Sequence, residues 1–328
     1  MLNSLLIINL LLTLGSLFFL IFASNLVLNG AIGIAKRFKL SPLVIGSTIV
    51  AFGGILPTIA VSIAIVFFDP FNIDIAIGNM VGTNYVNLGL ALGIPAFLTD
   101  IITKYNVFEK EIPLYLAITA LVTAFAANAD ISQPEGFLIL IAYAMIALII
   151  FQYSSRERKS DVKKAEMDIP NPGQTNTAKI ILSILSGMII LILAAFSLTY
   201  SAPILATSLG VSPYIIGLTL VGIGTSLPTI VASIQAAKKG YIDIILGNVF
   251  GGNIINLGIG IGLPAVFHSL KLDNEAIADI YFTNIYNFII LIIILIEMKL
   301  LGGNKALSRV SGIVIVGIYL LYLLTKIL

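Results

Sequence analysis

Two stretches of the chain carry amide side chains at a spacing that repeats. Gly78-Asn79 leads through Gly82-Thr83-Asn84 to Asn87, and Gly247-Asn248 leads through Gly251-Gly252-Asn253 to Asn256. On a helix, Asn84 and Asn87 share a face and Asn79 lies off to its side. Each stretch follows a second repeated segment, Gly53-Gly54-Ile55-Leu56-Pro57-Thr58 or Gly224-Thr225-Ser226-Leu227-Pro228-Thr229. Amide, hydroxyl and backbone carbonyl oxygens ligate hard cations without themselves carrying charge. The candidate ion ligands are therefore Thr58, Thr83, Asn84, Asn87, Thr225, Ser226, Thr229, Asn253 and Asn256, with Asn79, Asn248, Asp74 and Asp243 as secondary candidates. A metal position would draw on Thr58, Asn87, Thr229 and Asn256. Proline removes a backbone donor and glycine lowers the cost of unwinding, so Gly53, Gly54, Pro57, Gly224 and Pro228 are expected to interrupt their helices. The plainer account of each amide alone is interhelical hydrogen bonding, and of each proline a packed kink; two symmetric copies of both favour a site.

The elements that hold these residues are set by composition. Of 328 residues, 59% are hydrophobic and 10% charged, against roughly 25% charged in a soluble domain, so lipid is the solvent for most of the chain. The absence of Cys excludes disulfides and thiolate chemistry, and a single His, His268, excludes a multi-histidine metal site. The net charge of +2 implies no nucleic-acid partner. Apolar run length places ten spans at about 4–34, 42–67, 72–98, 111–128, 135–153, 179–207, 213–237, 243–268, 277–297 and 306–326. The first reads as a retained span rather than a signal peptide. A polar stretch at 154–178 reads as a charged, flexible linker. With these spans, all of the 18 Lys and Arg except Lys271 and Lys326 fall on one side. The positive-inside rule makes that side cytoplasmic, with both termini outside and linker 154–178 inside.

The repeats divide the chain into a first half, 1–153, with its repeat at about 41–97, and a second half, 179–328, with its repeat at about 212–266. Ser41-Pro42 aligns with Ser212-Pro213, Ser62 with Ser233 and Pro95 with Pro264. Five spans per half invert the second half relative to the first. The loops agree: Lys36, Arg37 and Lys39 precede the first repeat, where Ser208, Leu209 and Gly210 precede the second. The fold class is an all-α polytopic membrane protein of two inverted five-helix halves. Such halves can exchange conformations about one central site, which points to a secondary transporter working by alternating access.

These segments resemble the α-repeats of the calcium/cation antiporter superfamily, especially its prokaryotic sodium/calcium exchanger branch. That family carries Gly-x-Gly-Thr-Ser-x-Pro-Glu in spans two and seven and Gly-Asn-x-x-Gly-Ser-Asn in spans three and eight. The resemblance covers both repeats in order and spacing, and it implies ten spans and cation exchange with no cofactor beyond the transported ion. The chain departs from the pattern where it matters chemically. Thr58 and Thr229 stand where the family has its ion-binding Glu, Asn87 and Asn256 where an Asp often stands, and Gly54-Ile55 where Thr-Ser is expected.

Without those carboxylates, a dehydrated divalent ion would lack compensating charge, which is costly at bilayer depth. The expectation is a cation antiporter of the plasma membrane whose central site favours Na⁺ or K⁺ over Ca²⁺. Asp74 and Asp243 read as helix-start residues favoured by the dipole, and Asn284 and Asn287 as packing. A neutral or anionic solute on the same fold, or a non-transporting scaffold or regulator, are the alternatives. Enzymatic chemistry is not expected, for want of paired intramembrane Asp or several His. The partners implied are the bilayer and a small inorganic ion.

Overall fold

A computed structural model describes residues 2–37, 51–69, 72–102, 106–161, 177–238, 242–300 and 305–327. Among them run ten helices: α1 (Leu2–Arg37), α2 (Ala51–Phe68), α3 (Ile73–Leu98), α4 (Asn106–Ala126), α5 (Gln133–Asp161), α6 (Thr177–Leu209), α7 (Pro213–Lys238), α8 (from Ile242–Leu246 to Gly262–Phe267), α9 (Asn274–Leu300) and α10 (Arg309–Ile327). Eight contain an apolar stretch long enough to cross a membrane; Phe52–Phe68 in α2 and Glu111–Ala126 in α4 are shorter apolar stretches. The ten expected spans thus correspond to ten helices. They differ at the linker: α5 continues to Asp161, through residues read as loop, because Arg and Lys are good helix formers once outside the lipid. Residues 162–176 lie outside the described set, as do the repeat residues Ser41 to Thr48.

The long helices α1 and α6 lie side by side. Their outer faces present Leu11, Phe18, Leu182 and Leu193, which suits lipid. Their contact faces are hydroxylated: Thr13 Oγ1 donates to Ser201 Oγ at 2.9 Å and Ser16 Oγ to Ser197 Oγ at 2.8 Å. Apolar residues outside and satisfied hydroxyls inside are what a bilayer requires.

The inner layer is α2, α3, α7 and α8, with α3 and α8 the most buried of the spans. From Ile75 to Val86 every residue of α3 is buried. Here α3 and α7 touch backbone to backbone. A Cβ on Gly82 would stand 2.1 Å from the Leu218 carbonyl oxygen, and one on Gly78 would stand 2.2 Å from that of Tyr214. Only glycine permits that crossing.

Two short antiparallel strand pairs join the halves. β1 (Ile101–Ile102) pairs with β4 (Lys305–Leu307), Ile101 facing Leu307; β2 (Asp130–Ile131) pairs with β3 (Leu270–Lys271), Asp130 facing Lys271. Each pair takes one strand from each half.

The expected helix breaks are not found where proline and glycine stand. Gly53, Gly54 and Pro57 lie inside the continuous helix α2, and Gly224 and Pro228 inside α-helical Gly222–Lys238. The donor lost at Pro57 is replaced from outside, because Ser24 Oγ of α1 donates to the Gly53 carbonyl. The irregularities are instead π-helical turns: Gly217–Val221 in α7, Asn87–Leu92 in α3, and Gly247–Gly251 and Asn256–Ile261 in α8. Such turns shift the hydrogen-bond ladder without breaking the helix and recur at functional sites.

Candidate functional site

The predicted ligands converge where α2, α3, α7 and α8 meet. Thr58, Asn79, Thr83, Asn84, Asn87, Thr225, Ser226, Thr229, Asn248, Asn253 and Asn256 are each at most 2% exposed. Among the described residues no three His, Cys, Asp or Glu side chains come together to hold a metal. These eleven side chains are buried, polar and uncharged.

An amide can point its oxygen or its nitrogen inward, and here the backbone decides. A carbonyl oxygen only accepts, so it must be faced by Nδ2. Asn79 Nδ2 donates to the Thr58 carbonyl at 3.2 Å, and its counterpart Asn248 Nδ2 to the Thr229 carbonyl at 3.2 Å. Asn256 Nδ2 donates to the Met80 carbonyl at 2.7 Å and to Asn84 Oδ1 at 3.2 Å. Asn253 Nδ2 donates to the Asn84 carbonyl at 3.4 Å, which turns Asn253 Oδ1 toward Asn87 Nδ2, 2.8 Å away. With their nitrogens held, Asn87, Asn248 and Asn256 each keep a buried Oδ1 with no hydrogen-bond partner. An unmet buried acceptor costs about 1–3 kcal/mol. Each is an acceptor that positive charge would satisfy.

The hydroxyls are arranged less evenly. Thr58 Oγ1 lies 3.3 Å from Thr83 Oγ1, which lies 3.5 Å from Thr225 Oγ1, and Thr225 Oγ1 donates to Asn79 Oδ1 at 2.9 Å. Thr229 Oγ1 donates to the Gly54 carbonyl at 3.3 Å, and Ser226 Oγ to the Gly222 carbonyl of its own helix at 2.7 Å. Ser62 Oγ joins Asn79 on the Thr58 carbonyl at 3.0 Å, while Ser233 Oγ accepts from Asn248 Nδ2 at 3.0 Å.

Comparison with known proteins bears on this geometry. The family model for the sodium/calcium exchanger protein matches residues 8–152 and 179–328, nearly all of both halves. The chain belongs to the sodium/calcium exchanger family. It is 32% identical over 238 residues to the putative antiporter CaxA of Alkalimonas amylolytica, covering 73% of this chain and 74% of that one. The solved structure of the sodium-calcium exchanger NCX_Mj, soaked with Na⁺ and Sr²⁺, is 26% identical, covers 98% of this chain and 99% of its own, and superposes with a TM-score of 0.62. The H⁺/Ca²⁺ exchanger CAX shares the fold at a TM-score of 0.78, with 15% identity over 96% of this chain and 82% of its own. A membrane transporter of the exchanger family, not an enzyme, is what these residues build.

Three features outside the predicted set stand out. Asp279 in α9 is buried and pairs with Lys326 of α10 at 2.7 Å. Tyr214 of α7 donates to Asp279 Oδ2 at 2.9 Å, and Tyr85 of α3 donates to its carbonyl at 2.7 Å. In the sequence, Lys326 counts only among the two cations of the lysine-poor side and Asp279 is not among the candidates; an acid in α9 and a lysine in α10 are the available signal. Asn287 packs against α4, where Tyr115 OH donates to its Oδ1 at 2.9 Å. Glu111 opens the apolar stretch of α4 beside Gly247, its carboxylate oxygens 3.9 Å from where a Cβ on that glycine would stand. Of the secondary candidates, Asp74 sits in the first turn of α3, and the Asp243 side chain lies outside the described set.

Proposed function

We propose that the chain is a secondary cation antiporter of the plasma membrane that works by alternating access and moves a monovalent cation, Na⁺ or K⁺, in preference to Ca²⁺. Both termini face outward and the 154–178 linker lies in the cytoplasm. The observation that carries this reading is that three buried amide oxygens, on Asn87, Asn248 and Asn256, have no hydrogen-bond partner, where among the described residues no three acidic side chains come together. A monovalent cation beside such an oxygen satisfies it. A divalent ion would leave two charges uncompensated where water cannot reach, at a cost far above that of one.

The relatives' names speak of sodium, calcium and protons; Na⁺ is the one of these that a neutral site serves best. An anionic solute fits less well, because the amide N–H groups are already spent on carbonyls. A scaffold that had lost transport would gain stability by shedding three unmet acceptors.

The test is flux into proteoliposomes under imposed Na⁺, K⁺, H⁺ and Ca²⁺ gradients, with a Thr58→Val/Thr229→Val variant alongside. Na⁺ or K⁺ movement that the variant abolishes supports the reading. Sodium-driven Ca²⁺ uptake would sink the monovalent preference.

A further inference from the structure

The last helix of each half lies along an inner helix of the other: α10 along the later part of α3, and α5 along the later part of α8. The contacts repeat residue for residue. Gly312 of α10 meets the backbone of Ala96 and Phe97, as Gly136 of α5 meets that of Ala265 and Val266. Two turns further along, Tyr319 covers Gly89, where a Cβ would stand 2.5 Å from both Cβ and Cγ of the tyrosine. Tyr143 covers Gly258 in the same way, at 2.6 and 2.5 Å. Neither glycine has room for a side chain, so each tyrosine rests on bare backbone.

That backbone is a π turn in both cases. Gly89 lies in Asn87–Leu92 and Gly258 in Asn256–Ile261, and each turn opens on its amide. Such turns are rare, and their register sets which way the residues on either side point. Residues two apart lie about 200° around a helix, so Gly89 is at the back of Asn87 and Gly258 at the back of Asn256. In front, Asn87 Nδ2 donates to Asn253 Oδ1 and Asn256 Nδ2 to the Met80 carbonyl. Both amide oxygens are buried without a hydrogen-bond partner. The Tyr319 hydroxyl is likewise buried and unpartnered, so its ring, not its oxygen, makes the contact.

We infer that Tyr319 and Tyr143 are positioning residues of the transport site: each ring, seated on the glycine of a π turn in the opposite half, holds that turn in register and thereby aims the Asn87 and Asn256 amides. This rests on the reading that those amides receive the transported cation, and not on the preference for a monovalent one. Each half then borrows the alignment of its amide from the other half.

The purified protein is titrated with NaCl, KCl and CaCl₂, choline chloride holding the ionic strength constant, and its melting temperature is followed. A ligand that binds only the folded state raises that temperature saturably. The salt that stabilises the wild-type protein is then titrated into the variants. Tyr319→Leu and Tyr143→Leu are each expected to raise the midpoint concentration about tenfold, the order for losing one contact to a charge. Tyr319→Phe and Tyr143→Phe keep the ring and should return the wild-type midpoint. Tyr286→Leu removes a buried ring of α9 that packs on Tyr85; it should lower the melting temperature with the midpoint unmoved. Folded leucine variants that behave like Tyr286→Leu would reduce the two tyrosines to packing and overturn the inference, as would phenylalanine variants that fail to rescue. Where a leucine variant does not fold, Val316→Ala trims the neighbouring contact on Gly93; a raised midpoint supports the inference and a wild-type midpoint overturns it. A response of the wild-type protein to CaCl₂ alone would sink the monovalent preference and leave the positioning to be read with Ca²⁺. A response to none of the three salts would sink both.

Discussion

The side of the centre built on Asn79 and the side built on Asn248 descend from one repeat, and they differ in how completely they are satisfied. On the Asn79 side each polar group meets another polar group of the protein. On the Asn248 side the nitrogen is held twice, by Thr229 and Ser233, and the oxygen by nothing. The lesson is that near-identical backbones separate a satisfied amide from an unsatisfied one through a single neighbouring hydroxyl, present at Thr225 and missing at Gly54.

Four substitutions would break or sharpen that contrast. The largest effect is expected at the crossing that brings both sides together. Gly82→Val puts carbon against the Leu218 carbonyl, where a Cβ has 2.1 Å, and should abolish the monodisperse peak in gel filtration; recovery of folded protein would mean that α3 and α7 can separate. Next is a background effect outside both sides. Asp279→Ala leaves the Lys326 ammonium without its buried partner, a loss of about 3 kcal/mol, seen as a lower melting temperature, while the midpoint of a salt titration, in which melting temperature is followed as NaCl or KCl replaces choline chloride, stays unmoved. A shifted midpoint would place the ion pair in the transport site.

A smaller effect tests the Asn79 side. Thr225→Val removes the donor to Asn79 Oδ1 and should cost about 1–3 kcal/mol in cation-free buffer. An unchanged melting temperature would mean that Asn79 has another partner. The smallest belongs to the Asn248 side. Thr229→Val gives up one bond to a carbonyl inside a helix, costing about 0.5–1.5 kcal/mol without cation, but should flatten the salt titration. Equal losses for Thr225→Val and Thr229→Val, with both titrations intact, would erase the distinction between the sides.

Much of this was legible in the chain. Apolar run lengths gave ten spans, and the repeats gave the inversion and the buried polar set from Thr58 to Asn256. What was not legible depends on contacts between helices. Pro57 reads as a break, yet α2 continues because Ser24 of another helix takes the orphaned carbonyl. The π turns at Asn87–Leu92 and Asn256–Ile261 have no residue signature, since a shifted ladder is selected by packing rather than local preference. The facing of each amide depends on carbonyls such as those of Met80 and Asn84, which belong to the opposite half. The Asp279–Lys326 pair joins two helices, and nothing in either helix's own sequence marks Asp279 as the partner of Lys326.

The strand pairs carry a consequence for biogenesis. β1 pairs with β4, and β2 with β3, across the halves; likewise the donors to the Met80 and Asn84 carbonyls, Asn256 and Asn253, arrive with the second half. During translation the first five helices therefore enter the bilayer with ribbon edges and amide partners still missing. They must wait for helices threaded the opposite way round. A ribosome stalled after the midpoint linker would leave a nascent chain inserted but not assembled, and quality-control proteases would meet it in that state.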